Sequence, residues 1–364
     1  MHIPSSAVCW WFQSMDRARR IRGATMDQMG YGPIESPYQT RLTQPGMRLR
    51  FYGGAASSQQ IALIIPAPIK RHYIWDMAPE CSVVQRALAA GMQVYLIEWT
   101  TPETAQAEFG LADYGYRLID ECVNMILSTT PHGRIFLLSH SLGGVLAASY
   151  AALRPERVSG MVMIESPMHF AEANGSFAPL AAFGPPAHSI VEVFDNVPGS
   201  VLSMTSVAAS PATFLAERYA DFVASLESDD LIRRHLQVQR WTLDEAPMSG
   251  RLFEEVAELL YREDRFMRGS LVVNGRSLGP ADIVAPFLAV YDPRSLIIPP
   301  ASITLFQAAT ASSNKRLLPY HGDKGVALAH VGALVGDNAH RQIWPEIFRW
   351  INEVCADEAV ATRH

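Results

Sequence analysis

The chain has 364 residues, of which 49% are hydrophobic and 18% charged, and its formal net charge is −6. This composition suits a buried globular core and excludes a disordered chain. Lys and Arg are scattered without a basic stripe, so nucleic acid is not an expected partner.

Residues 1–35 read as an N-terminal segment that packs on the body or frays. Its start, MHIPSSAVCWWF, has neither the basic opening nor the sustained apolar stretch of a signal peptide. Trp10, Trp11 and Phe12 give it a second reading, as a dock for a partner or a lipid surface. Arg48 to Tyr52 reads as an early strand. Ile61 to Ile65 is a continuous apolar run that stops at Pro66, the pattern of a strand buried on both faces. A helical stretch from Val83 to Ala90 ends at Gly91, and Val94 to Ile97 is the next strand. Tyr114 to Leu127 carries apolar residues at helical spacing and stops before Pro131. Ile135 to Leu138 is a strand, followed by a Gly-rich turn and a helix from Val145 to Leu153. Met161 to Ile164 is a further strand. Strands and helices in alternation predict an α/β fold, with a mainly parallel sheet and helices on both faces.

The alternation then breaks. From Phe170 to Gly269 the chain is first rich in Pro, Ser and Ala and then helical, with no convincing core strand. The expected organisation is a core in two parts, 36–169 and 270–364, interrupted by a helical cap insert at 170–269. The sheet resumes with Phe287 to Tyr291, and a helix around Gln342 to Val354 closes the chain. No apolar run is long enough to span a bilayer. Cys9, Cys81, Cys122 and Cys355 are far apart and form no metal-ligand spacing. They read as reduced thiols of a cytoplasmic protein, and neither metal nor cofactor is expected.

The sharpest signal is Ser139-His140-Ser141-Leu142-Gly143-Gly144, which follows a strand and opens a helix. This is the setting of a nucleophile elbow in the α/β-hydrolase fold, with Ser141 on the tight turn. Ser139 stands where a Gly is usual. The alternative is an ordinary Gly-containing turn with a capping Ser. A serine needs a base, and His330 lies after the last expected strand and before the final helix. His321 is the nearby alternative, and the His140 side chain should point away from that of Ser141. An oxyanion hole would use the backbone N–H of Leu142 and a second from the loop after Ile65. Pro68 has no N–H, so Ala67 or Ile69 must supply it, and Ile69 is preferred. Trp99 either lines the pocket or packs beneath it.

The blocks IIPAPIKRHYIWDMAPECSVVQRAL, VYLIEWTTP, LADYGYRLIDECV, LLSHSLGG and YAALRPERVSGMV resemble successive segments of the polyhydroxyalkanoate synthases. FDNVPG, LVVNGRSL, LIIPP and HVG continue the resemblance, which runs in order from Ser36 to Glu353. The resemblance implies a substrate of the 3-hydroxyacyl ester or acyl-CoA kind. The length is similar to the short subclass, whose catalytic chain works with a second subunit, so a second subunit or a homodimer is the implied partner. Cytoplasmic polymer granules are an implied location.

Two positions depart from that family. Its nucleophile is Cys, where this chain has Ser141, and its triad Asp falls at Ser295. Two carboxylates remain for the acid: Glu165, ending the Met161 to Ile164 strand, and Asp292, just after Tyr291. A Ser-His dyad with no acid is the third possibility. A thiol enzyme keeps the thioester's energy in its acyl intermediate, whereas a serine holds an oxygen ester much like the polymer's own bonds. The exchange to serine therefore favours cleavage over chain growth. Three functions follow: a serine hydrolase of 3-hydroxyacyl esters or thioesters, a synthase-type acyltransferase, and a weakly active granule-associated or binding protein.

Overall fold

In the computed structural model, the described residues are 5–54, 60–130, 133–170 and 175–361. The chain opens with helix α1 (Ser5–Gln28), then strands β1 (Gln39–Gln44), β2 (Met47–Gly53) and β3 (Ile61–Ile65). Helix α2 (Val83–Ala89), β4 (Gln93–Trp99), α3 (Leu118–Ser128), β5 (Ile135–His140), α4 (Leu142–Leu153) and β6 (Val158–Ile164) follow. Six helices come next: α5 (Ala178–Phe183), α6 (Ala187–Phe194), α7 (Gly199–Ala209), α8 (Arg218–Ser225), α9 (Asp229–Thr242) and α10 (Gly250–Glu255). A small hairpin, β7 (Leu271–Val273) and β8 (Arg276–Leu278), precedes β9 (Phe287–Tyr291). The chain ends with α11 (Pro300–Ala309), β10 (Lys315–Pro319), α12 (Gly332–Val335) and α13 (Trp344–Ala361).

Eight strands form one sheet in the order β1-β2-β4-β3-β5-β6-β9-β10. β1 and β2 pair antiparallel with each other, and β2 pairs antiparallel with β4. The remaining pairings are parallel. Side chains alternate across the sheet, as the strand period requires. Ile61, Leu63 and Ile65 enter the apolar layer that holds α3 and α4, while Ala62 and Ile64 enter the layer of α2 and α13. Both layers are sealed, so β3 reads as an unbroken apolar run in the sequence. This is the α/β-hydrolase arrangement, a mostly parallel sheet flanked by helices and carrying a helical insertion.

The residues between Phe170 and Gly269 contain helices and no strand among those described. Several of the described ones line the same cavity as Ser141, the residue after β5. Helix α1 straps this insertion from outside. Arg240 of α9 makes two hydrogen bonds to Asp27, at 2.7 and 2.8 Å. Asp16 accepts from the Ser200 N–H in the first turn of α7 at 2.8 Å. Trp10 and Trp11 stay 66% and 58% exposed, and Phe12 packs edge-on against Phe194. The described part of the N-terminal segment is therefore a helix docked on the insertion, followed by a stretch whose Glu35 pairs with Arg50 and His72. No helix among the described residues is long and apolar enough to cross a membrane.

Candidate active site

Strand β5 delivers Ser141 to the carboxyl edge of the sheet, and α4 begins immediately after it. Ser141 has φ 55° and ψ −134°, a conformation that L-residues adopt only at a cost. The turn is held by the Ser141 N–H donating to Ile164 O at 3.0 Å. The small residues around it are sterically required. A Cβ on Gly143 would fall 2.2 Å from Ile65 O, and one on Gly144 would fall 2.2 Å from Ser166 Oγ. Ser139 fits despite its hydroxyl because that hydroxyl donates to Val162 O at 3.2 Å, so it is buried and satisfied.

The N–H of Leu142 is the first of α4, where helical backbone leaves donors without an intrahelical partner. Ala67 and Ile69 line the same cavity as Ser141 and Leu142. Their loop is braced from two sides. Trp99 Nε1 donates to Pro66 O at 2.8 Å, and the Ala246 N–H from the insertion donates to Ile69 O at 3.0 Å. Trp99 is thus a buried brace; it stacks edge-on with Tyr114 and does not line the cavity. Replacing Gly143 with Ala is expected to push this loop off the elbow. Turnover should fall roughly a hundredfold or more, the effect of losing one oxyanion donor. Steady-state kinetics on a variant with wild-type circular dichroism checks this, and near-normal turnover would refute it.

His330 sits on a short turn, Ala329–Val331, just ahead of α12. It lines the cavity with Ser141. Its carbonyl accepts from His140 Nε2 at 2.8 Å, and the two imidazole rings lie 4.5 Å apart. His140, for which the sequence suggested no role, therefore holds His330 and also lines the cavity. Burial and the neighbouring His330 push the His140 imidazole well below its usual value, so it stays neutral and donates. The loop before His330 is gripped from the insertion. Asp221 of α8 accepts from the N–H groups of Gly325 and Ala327 at 2.8 and 2.7 Å, and His235 Nδ1 lies 2.8 Å from the same carboxylate. No sequence signal pointed to Asp221, since the backbone groups it holds lie about a hundred residues away along the chain. His321 only offers its carbonyl to Arg294.

Glu165 follows β6 with φ 45° and is 2% exposed. Its Oε2 lies 3.7 Å from His330 Nδ1, beyond hydrogen-bond length, and neither atom has a hydrogen-bond partner among the described residues. Its Oε1 accepts from the Asp292 N–H, while the Ser295 hydroxyl accepts from the Ile298 N–H at 3.2 Å. Asp292 is differently engaged: its carboxylate accepts from the Arg294 N–H at 2.8 Å and from the guanidinium at 3.2 and 3.3 Å. The structure thus brings Glu165, not Asp292, near His330. Burial pushes the Glu165 carboxyl up to about 8 and the His330 imidazole down to about 4.

The cavity measures about 620 Å³. Phe214, Leu215 and Trp241 of the insertion line it together with Ser141 and His330, whereas Phe222 packs on His235 instead.

An α/β hydrolase fold family model matches residues 72–186. The poly(3-hydroxyalkanoate) polymerase subunit PhaC of Allochromatium vinosum is 26% identical over 322 residues, covering 87% of this chain and 89% of that protein. The same subunit from Thiocystis violacea is 25% identical over 300 residues, covering 82% of each. Among solved structures, the Paleococcus ferrophilus monoacylglycerol lipase superposes with a TM-score of 0.55 at 16% identity, covering 85% of this chain and 99% of the lipase. That degree of likeness speaks for the fold. The elbow, the sheet order and these similarities together make the chain an α/β-hydrolase-fold protein with distant homology to the poly(3-hydroxyalkanoate) polymerase PhaC subunits.

Proposed function

We propose that the protein is a serine-dependent hydrolase of ester or thioester bonds in 3-hydroxyacyl compounds or their oligomers. The observation that carries this reading is that Glu165 Oε2 lies 3.7 Å from Nδ1 of His330, which lines a cavity with Ser141, and that neither atom has a hydrogen-bond partner among the described residues. A carboxylate on Nδ1 leaves Nε2 to take the proton from Ser141 as its oxygen attacks the acyl carbonyl. The tetrahedral oxyanion is received by the Leu142 N–H and a second N–H from Ala67 or Ile69. His330 then protonates the leaving group, and a water activated by the same imidazole releases the acid from Ser141.

Residues 170–269 act in this reading as a cap that excludes water until substrate enters. Their apolar cavity wall suits an acyl chain. A second reading, a synthase-type acyltransferase using 3-hydroxyacyl-CoA with a second subunit or in a homodimer, draws on the homology to the PhaC subunits. One experiment separates the two. The purified protein is incubated with 3-hydroxybutyryl-coenzyme A, and free thiol, free acid and polymer are measured together. Thiol and acid in equal amounts without polymer are expected. Polymer as the main product would replace the first reading with the second.

A further inference from the structure

The cavity around Ser141 is apolar over most of its wall, yet several basic side chains line it as well. Arg19 and Arg22 of α1, Lys70 of the loop after β3, and Arg218 of α8 all line it. Glu245 is the one carboxylate among the lining residues, and it is already engaged, 3.1 Å from Arg19 and 3.2 Å from Lys70. Arg22 and Arg218 have no carboxylate partner among the described residues. Arg22 is exposed, while Arg218 is half-buried and its recorded hydrogen bond is to the neutral Thr242 hydroxyl at 2.9 Å. Burial, and to a lesser degree the neighbouring Arg22 and Arg19, pull the Arg218 guanidinium below its usual value. Unpaired cations held together beside a low-dielectric pocket are costly until an anion joins them.

We infer that Arg22 and Arg218 seat an anionic group of the substrate, so that the enzyme selects acyl compounds charged at the end remote from the scissile carbonyl. The inference rests on the reading of Ser141 as the acyl-accepting group of this cavity. An apolar chain then lies along the wall between the anion at these arginines and the carbonyl at Ser141. A terminal carboxylate of an oligoester and a phosphate of a leaving group share this chemistry. Arginine is suited to both, since its fork pairs with carboxylate and phosphate oxygens in the same planar geometry.

Two matched pairs of compounds test it. The first is a linear 3-hydroxybutyrate trimer with a free carboxylate against its methyl ester. The second is 3-hydroxybutyryl-coenzyme A against the uncharged N-acetylcysteamine thioester. In at least one pair, kcat/KM for the charged member should exceed that for the neutral one by about tenfold or more, the worth of one charge-assisted hydrogen bond. Which pair shows it tells carboxylate from phosphate. The ratio should fall toward unity in Arg22→Gln and in Arg218→Gln, and should shrink as salt is raised. Arg17→Gln, an exposed change on the same helix outside the cavity lining, should leave the ratio as it is. Arg22→Gln alters an exposed side chain, so it reports even where Arg218→Gln fails to fold. Ratios near unity in both pairs, or ratios untouched by Arg22→Gln, would overturn the inference while Ser141 still reacts with a fluorophosphonate. Absence of both turnover and labelling would overturn the acyl-enzyme reading and the inference with it.

Discussion

Replacing Ser141 with Ala is expected to remove all labelling by a fluorophosphonate and to lower turnover by roughly a millionfold, the cost of losing the nucleophile in a comparable triad. The elbow geometry explains why the loss should be so complete. The turn that strains Ser141 to φ 55° stands at the end of β5, where α4 begins and His330 lines the same cavity. Undiminished turnover in Ser141→Ala would end the acyl-enzyme mechanism. Ser141→Cys probes the reaction's direction. A cysteine acyl intermediate keeps thioester energy, so it can still drive transfer to a hydroxyl. The variant should move products from free acid toward acyl transfer. An unchanged product ratio would show that the nucleophile's identity does not decide the outcome.

The second large effect belongs to Glu165. A carboxylate facing Nδ1 holds the imidazole in the tautomer that leaves Nε2 free to accept, and an amide there holds the opposite one. Glu165→Gln is therefore expected to reduce kcat by about a thousandfold or more, by analogy with the amide substitution in a serine triad. Asp292→Asn should cost far less. It keeps the backbone N–H that Glu165 accepts and alters only the bonds to Arg294. Nearly full activity in both variants would leave a Ser-His dyad.

Acidity provides a second reading of the same pair. Burial raises Glu165 to about 8, so below that pH it is largely protonated and would donate to Nδ1, the unproductive arrangement. Burial lowers His330 to about 4, so the imidazole is already neutral through the whole working range. The ionisation that limits the free enzyme is then that of Glu165, and kcat/KM should rise with pH through about 8. In Glu165→Gln that rise should vanish. A wild-type profile that is flat between about pH 7 and about pH 9 would mean that Glu165 is not the limiting group.

Much of this architecture is legible in local sequence, and the reasons differ from element to element. β3 shows as an unbroken apolar run because both of its faces are sealed. The elbow shows because its crowding admits only small residues, and Gly143 and Gly144 meet that demand at fixed spacing from Ser141. His330 follows from chain order alone. The edge strands were missed. β1 is mostly exposed and polar, and β10 alternates weakly, since a strand at the rim is buried on little of its surface. Helix α1 gave no clear local signal and is held by ion pairs and caps to residues some two hundred positions away.

The proposed triad acid shows the boundary most clearly. Sequence left Glu165, Asp292 and no acid all open, because each candidate ends a strand and both satisfy the chain order. In the tertiary structure, sheet adjacency brings Glu165 rather than Asp292 near His330. β6 pairs with β9, the Glu165 N–H donates to Val290 O, and the Asp292 N–H in turn donates to Glu165. Arg294 then occupies the Asp292 carboxylate, and His140 and Asp221 set the loop that brings His330 to Glu165. Local patterning determined which segments fold and which serine stands on the turn, because burial and backbone strain act residue by residue. Which carboxylate meets the histidine was decided only in three dimensions, because hydrogen bonds form between atoms that are close in space, whatever their separation along the chain.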